Sequence, residues 1–175
     1  MGPLGHFAVG LAAKPAAPKL PLGVLLLATE IPDILALTLG YAGVEGKAGG
    51  ALPWSHGLFM CAVWSAVAAL VSARIFRDYR GGVVVGLMVL SHWLLDFISH
   101  PIPFASFSWS KWQWDYGHSL LSDLPLLFSG SPTVGLGLYN RISAVAATVL
   151  EFAMFVVGAA VYARCIVQER RPQSM

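Results

Sequence analysis

Histidines and carboxylates recur inside apolar segments of this 175-residue sequence. The clearest set is His92, Asp96 and His100, which follow one another at intervals of four residues. Residues four apart share one face of an α-helix, so these side chains would form a column of two imidazoles and one carboxylate. Such groups are ligands that suit zinc and other divalent transition metals. The alternative is a His–Asp hydrogen bond that holds neighbouring helices together.

The sequence Glu30-Ile31-Pro32-Asp33 adds two carboxylates to an apolar segment. Pro32 removes a backbone hydrogen bond, so we expect a kinked helix with space beside the carboxylates. Asp33 is a candidate metal ligand or general base, and Glu30 is a weaker candidate ligand. The alternative is an ordinary proline kink at which both carboxylates pair with a protonated histidine.

Four further residues are candidates because of where they fall in the chain. His56 opens an apolar segment beside Trp54 and is a candidate ligand in company with the other polar positions. His6 lies in a short apolar stretch that either dips into the bilayer or stays uninvolved. His118 and Glu151 are weaker candidates. For His118 the alternative is a solvated loop histidine, and for Glu151 it is an ion-pair partner for Arg or His.

Long apolar blocks must position these residues. Hydrophobic residues make up 57% of the chain and charged residues 11%, whereas about a quarter of a soluble domain is charged. The blocks are about twenty residues long, which is the length that crosses a ~30 Å hydrocarbon layer. We therefore predict an all-α integral membrane protein with one domain. The four predicted spans cover residues 22–41, 54–73, 82–100 and 143–164.

Two further segments complete the predicted bundle. Pro3–Ala13 is expected to form a short apolar helix, and the prolines that follow allow the chain to turn back. Pro101–Ile142 is rich in Trp, Ser, Gly and Pro. Because Trp and Tyr prefer the membrane–water boundary, we expect this long extracytoplasmic segment to lie along the interface.

Basic residues predict the orientation of the bundle. Eight of the eleven Lys and Arg residues lie before the first span, between the second and third, or after the fourth. With four spans these places share one side, so both termini are expected in the cytoplasm. A net charge of +2 with scattered basic residues argues against nucleic-acid binding. Cys61 and Cys165 are expected to be buried thiols near opposite faces and to form no disulfide.

Depth along each span tests whether the candidate ligands can meet. At 1.5 Å per residue, His56 would lie about 3 Å below the outer end of its span and Asp96 about 6 Å. His92, Asp33 and Glu151 would lie about 12–14 Å down. All five therefore fall in the outer half of the bilayer, and we expect a cavity open to the extracytoplasmic face.

The order of these motifs resembles that of a known family. The chain contains, in order, Gly5-His6, Pro32-Asp33, Ser55-His56 and Ser91-His92 followed by Asp96. The YdjM-type family of bacterial inner-membrane proteins, described as membrane-bound metal-dependent hydrolases, has an early Thr-His, a Leu-Pro-Asp-x-Asp, a Thr-His-Ser and a Ser-His-x-x-x-Asp. The resemblance covers about the first hundred residues. Leu35 replaces the family's second Asp, and Gly5 and Ser55 replace its threonines.

The same order is similar, more distantly, to zinc-dependent phospholipase C and related single-strand nucleases, which bind three zinc ions. That resemblance implies one metal shared by His56, His92 and Asp96. It also implies that Asp96 bridges to a second metal held by His6, and that Asp33 is a ligand or general base.

The candidate ligands of a third ion would be His100, His118 and Glu151. The zinc enzymes' late His-x-x-x-Glu is missing, because no histidine lies four residues before Glu151. We therefore expect one or two ions, zinc first and manganese as the other candidate.

The resemblance implies metal-dependent hydrolysis in the bacterial inner membrane, and the similarity to phospholipase C favours a phosphodiester. A cavity that opens within the outer leaflet suits a lipid or amphipathic (phospho)ester as the substrate, with membrane lipids as partners. An ion or proton transporter is the first rival hypothesis, with the intramembrane carboxylates and His92 as its path. The second rival is a non-catalytic membrane scaffold. The absence of an internal repeat counts against a transport path.

Overall fold

The chain is mainly helical in the computed structural model, which describes residues 1–45, 54–99, 105–108, 113–116 and 136–169. Three helices within these ranges are long and apolar enough to cross a membrane. A bent pair of shorter helices would make the count four if the pair is one span. The helical architecture predicted from the sequence is therefore present.

The first two helices form a hairpin. Helix α1 (Pro3–Ala12) carries Pro3 in its first turn, where the missing N–H has no helical partner to lose. After a short 3₁₀ turn, helix α2 (Leu22–Thr29) packs back against α1. The Lys14 ammonium closes the connection by donating to two backbone carbonyls, at 2.7 Å each. The chain thus returns to the level at which α1 begins.

Helix α3 (Ile31–Tyr41) follows α2 after a bend of 55°. Pro32 lies in the first turn of α3, which is the place in a helix that tolerates proline. The sequence predicted one kinked span over residues 22–41, and the structure has two helices there. The break falls at Glu30, whose backbone leaves the helical region.

Helices α4 (Leu58–Phe76) and α5 (Tyr79–Ser99) form a second hairpin. Arg77, in the left-handed region with φ 50°, ends α4. Small residues let the two helices approach closely, because a side chain at Gly82 would overlap the backbone of α4. The second span was predicted from residue 54, but residues 54–57 form a turn instead.

Helix α6 (Ala144–Glu169) packs along α1. Gly158 lies against the backbone of Ala8, so the two helices touch without intervening side chains. Little of α4 or α6 is buried in the protein, whereas more than half of the apolar window of α5 is. Helix α5 is therefore the centre of the bundle, and the exposed apolar faces of α4 and α6 suit contact with lipid.

The segment predicted to lie along the interface includes a pair of strands, which departs from the all-α prediction. Strands β1 (Ala105–Ser108) and β2 (Gln113–Tyr116) pair antiparallel, with Ala105 opposite Tyr116. Aromatic residues in these strands have high β-propensity. A short 3₁₀ helix, Leu138–Arg141, precedes α6.

Candidate metal centre

Five candidate ligands from four parts of the chain meet at one place. They form two groups that share His92, and within each group the ligand atoms all lie within 4.8 Å of one another. The first group is His6, His92 and Asp96, and the second is Asp33, His56 and His92. The five residues named from the sequence as the main ligands are therefore brought together.

Helix α5 supplies two ligands from one face. His92 and Asp96 are one turn apart, with 3.3 Å between Nε2 and Oδ2. The other ring nitrogen of His92, Nδ1, lies 2.6 Å from the carbonyl oxygen of Thr29. Because a carbonyl can only accept a hydrogen bond, Nδ1 carries the proton and the lone pair of Nε2 faces the cluster.

Histidine nitrogens and carboxylate oxygens approach one another closely in the cluster. His56 Nε2 lies 3.2 Å from Asp33 Oδ1 and 3.8 Å from Asp96 Oδ2. His92 Nε2 lies 3.5 Å from Asp33 Oδ1 and 3.3 Å from Asp96 Oδ2. Ligands about 2.1 Å from a central zinc ion are about 3.4 Å apart. These four nitrogen–oxygen distances are therefore close to those between ligands of one zinc ion, and Asp33, His56 and His92 form one compact group of three.

The second oxygen of Asp96 faces a different partner. Oδ1 lies 3.4 Å from Nε2 of His6, and it also forms an ion pair with the amino group of Met1. The His6 and His92 rings stack with their centroids 3.9 Å apart. Asp96 thus faces His6 through one oxygen and His56 and His92 through the other.

Buried imidazole nitrogens in the cluster lack hydrogen-bond partners. Among the described residues, neither ring nitrogen of His6 has one, and nor does Nε2 of His92. A buried polar atom without a partner is unfavourable, so these atoms favour a ligand that they can bind. Burial also lowers the pKa of His6, which keeps its ring in the neutral form that binds metals.

The cluster opens to the surroundings at Asp33. The Asp33 side chain is 45% exposed, while the side chains of His6, His56, His92 and Asp96 are each at most 8% exposed. Asp33 lies in the first turn of α3, immediately after the bend, so the bend places the opening of the cluster there. A substrate or water molecule would therefore meet Asp33 first.

The weaker candidates lie outside the two ligand groups, or outside the described residues. Glu30 accepts a 3.3 Å hydrogen bond from the hydroxyl of Thr29. Glu151 accepts one of 2.6 Å from the backbone N–H of Gly2, at the start of α1. Glu151 therefore anchors the helix that carries His6. His100 and His118 lie outside the part of the chain that the structure describes.

His56 is buried inside the protein. Its side chain is 8% exposed, because the turn before α4 packs into the cluster. Cys61, one turn into α4, donates a 3.1 Å hydrogen bond to the carbonyl of Ser55 in that turn. Both cysteines are buried thiols, as predicted.

Sequence reasoning missed Glu45. Its carboxylate accepts hydrogen bonds from two backbone N–H groups in the turn that carries His56. The sequence has no signal for this contact, because a glutamate beyond a helix end and a distant turn share no spacing rule.

Tyr139 was also missed. It lies outside the spans, next to Glu151, and burial together with that carboxylate raises the pKa of its hydroxyl. Tyr139 and Glu151 thus form a polar pair beside the start of α1, and neither belongs to the two ligand groups.

No protein-family model, curated protein or solved structure matches this chain. The ligand geometry is therefore the main ground on which a function can be argued.

Proposed function

We propose that this protein is a membrane-bound, metal-dependent hydrolase that acts on a lipid or amphipathic ester, with a phosphodiester preferred. The observation that carries the proposal is the close approach of histidine nitrogens and carboxylate oxygens from Asp33, His56, His92 and Asp96, at 3.2 to 3.8 Å. The order of motifs shared with the YdjM-type family supports it, and the distant similarity to zinc-dependent phospholipase C supports the phosphodiester.

His56, His92 and Asp96 are the proposed ligands of the first ion. Two imidazoles and one carboxylate favour zinc, with manganese second. A zinc ion with three protein ligands supplies an activated water and polarises the substrate oxygen. Asp33, the most exposed of these residues, would accept or orient a proton of water at the opening of the cluster.

His6 and the Oδ1 atom of Asp96 are the proposed ligands of a second ion. Because Nε2 of His92 can bind one ion only, Asp96 is the residue that would serve both sites, with Oδ2 facing His56 and His92 and Oδ1 facing His6.

The proposed substrate is a membrane lipid because an apolar face adjoins the opening. Ile34, Leu37 and Tyr41 follow Asp33 along one side of α3 and are all exposed. Residues at these intervals share a helix face. A lipid whose head group meets Asp33 can lay its acyl chains along this face, whereas a fully polar substrate gains nothing from it.

The proposed location is the bacterial inner membrane, with the site open to the extracytoplasmic side. Basic residues lie at the opposite end of the bundle from the cluster, at the turn between α4 and α5 and in the α1–α2 connection. The positive-inside rule puts that end in the cytoplasm. The sequence predicted the first residues on the cytoplasmic side. Because α1 begins beside Asp96, at the cluster end of the bundle, this proposal puts the α1–α2 connection on the cytoplasmic side in their place.

Hydrolysis by the purified protein tests the proposal. Detergent-solubilised protein is incubated with mixed micelles of phosphatidylcholine, with added zinc or with a chelator. We expect zinc-dependent release of a water-soluble product. Asp33→Asn should lower the rate by about 10²–10⁴-fold, which is the usual contribution of a general base, while the variant keeps its zinc.

Asp78→Asn is the matched control, because Asp78 lies at the basic end of the bundle, and it should leave the rate unchanged. Absence of hydrolysis together with ion flux in liposomes that Asp96→Asn abolishes would support the transporter instead. If His92→Ala lowered only the stability, and zinc binding and hydrolysis were absent in the wild type, the scaffold would be the better account.

A further inference from the structure

Glu45 joins the chain after α3 to the turn before α4. Glu45 is a buried residue, only 3% exposed. The Oε1 atom accepts hydrogen bonds from the backbone N–H groups of Trp54, at 2.6 Å, and Ser55, at 2.9 Å. One carboxylate oxygen therefore fixes two consecutive peptide groups of the turn.

The fixed turn leads directly to a proposed metal ligand. The hydroxyl of Ser55, a fully buried residue, lies 2.8 Å from Nδ1 of His56. With the proton on Nδ1 donated to this hydroxyl, the lone pair of Nε2 is left for the metal. His56 lies outside α4, so the turn and its hydrogen bonds set the direction of the ring in place of helix geometry.

The second oxygen of Glu45 makes a purely stabilising role a poor explanation. Within the described residues, Oε2 is buried without a hydrogen-bond partner. A buried carboxylate oxygen in that state is unfavourable. A neutral side chain could accept the same two backbone hydrogen bonds without that penalty.

We propose that Glu45 is a positioning residue that acts through Ser55 to hold His56 in the orientation and tautomer needed to bind the metal. This inference rests on the proposed function, in which His56 is a metal ligand. Glu45 itself is not a ligand: it belongs to neither of the two ligand groups.

Cobalt(II) tests the role, because its visible absorption reports the number and type of its ligands. Co²⁺ is titrated into the detergent-purified, metal-free full chain of the wild type, Glu45→Ala, Glu45→Gln and His56→Ala. Loss of a group that orients a metal ligand typically weakens binding about 10–100-fold. We expect Glu45→Ala to show that loss and a spectrum like that of His56→Ala.

Glu45→Gln keeps an oxygen that can accept both backbone hydrogen bonds. We expect it to bind cobalt more tightly than Glu45→Ala and to keep the wild-type number of ligands. Ser72→Ala is the control for removal of a buried polar group, because Ser72 lies about four turns along α4 from its start. It should leave the titration unchanged.

A second variant keeps the inference open to refutation if Glu45→Ala does not fold. Ser55→Ala leaves the carboxylate in place and removes the contact to His56, so it should weaken cobalt binding in the same direction. If His56→Ala weakens binding while Glu45→Ala or Ser55→Ala retains the wild-type affinity and spectrum, the positioning role is wrong and the metal site stands. If the wild type itself binds no cobalt, the proposed function fails too.

Discussion

Asp96 is the residue on which the two parts of the cluster depend. Its Oδ2 atom faces His56 and His92, and its Oδ1 atom faces His6. The contribution of His6 should therefore be separable from that of the other two histidines.

We predict that His6→Ala removes the second ion and leaves the first. The variant should retain about half of the metal that the wild type binds, because the His56, His92 and Asp96 set remains intact. Mass spectrometry of the intact protein under non-denaturing conditions counts the ions directly. His56→Ala is the comparison and should lose the first ion. Loss of all metal from His6→Ala would show that the two sets do not bind separately.

Some of the ligands could be predicted from sequence and others could not. His92 and Asp96 follow from a four-residue spacing on one apolar helix, which is a local property of the chain. His6 could be named but not placed, because its approach depends on the α1–α2 hairpin. Glu45 could not be found, because its partners are backbone groups in a turn nine and ten residues further along the chain.

Among the elements, the contact between α1 and α6 determines whether His6 reaches the cluster. Gly158 touches the backbone of Ala8, and Glu151 accepts the N–H of Gly2 at the start of α1. Both contacts hold α1 from the α6 side. Any side chain at position 158 would push the two helices apart.

We predict that Gly158→Val destabilises the protein by about 1–3 kcal/mol, as overpacking typically does. It should also weaken binding of the second ion, because α1 carries His6. Thermal unfolding in detergent and metal titration measure the two effects.

The control for this substitution is Gly23→Ala on α2, where an added methyl group meets nothing within 4 Å. That variant should be neutral or slightly more stable, because alanine favours helix. Equal stability of Gly158→Val and the wild type would contradict the close packing of α1 on α6.

The long helices were predictable and the short elements were not. An apolar block of about twenty residues is a strong signal, which is why α4, α5 and α6 fall close to the predicted spans. The bend between α2 and α3 was foreseen as a proline kink, but propensity alone does not give its size. The β1–β2 pair was missed because a strand of four residues has too short a pattern to be recognised.

At the scale of the whole molecule, the basic residues and the ligand cluster lie at opposite ends of the bundle. The α4–α5 turn carries Arg74, Arg77 and Arg80, while the cluster lies where α4 begins and α5 ends. The two ends would therefore face different compartments if the bundle spans a membrane.

We predict that Arg77→Cys reacts with a membrane-impermeant maleimide in inside-out inner-membrane vesicles and not in right-side-out spheroplasts. The native thiols are buried and should react little. A cysteine introduced at Trp54, which is half exposed near the cluster end, is the matched control and should show the opposite pattern. Labelling of Arg77→Cys in spheroplasts would reverse the proposed orientation.

The metal content of the purified protein tests the central claim most directly. Wild type, His92→Ala and Asp96→Ala are purified in detergent, exposed to zinc, freed of unbound metal and analysed by inductively coupled plasma mass spectrometry. We predict one to two zinc ions per wild-type chain and a near-complete loss in both variants, because His92 belongs to both ligand groups and Asp96 lies within 3.8 Å of all three histidines. Wild-type zinc content in both variants, or no bound zinc in the wild type, would contradict the account.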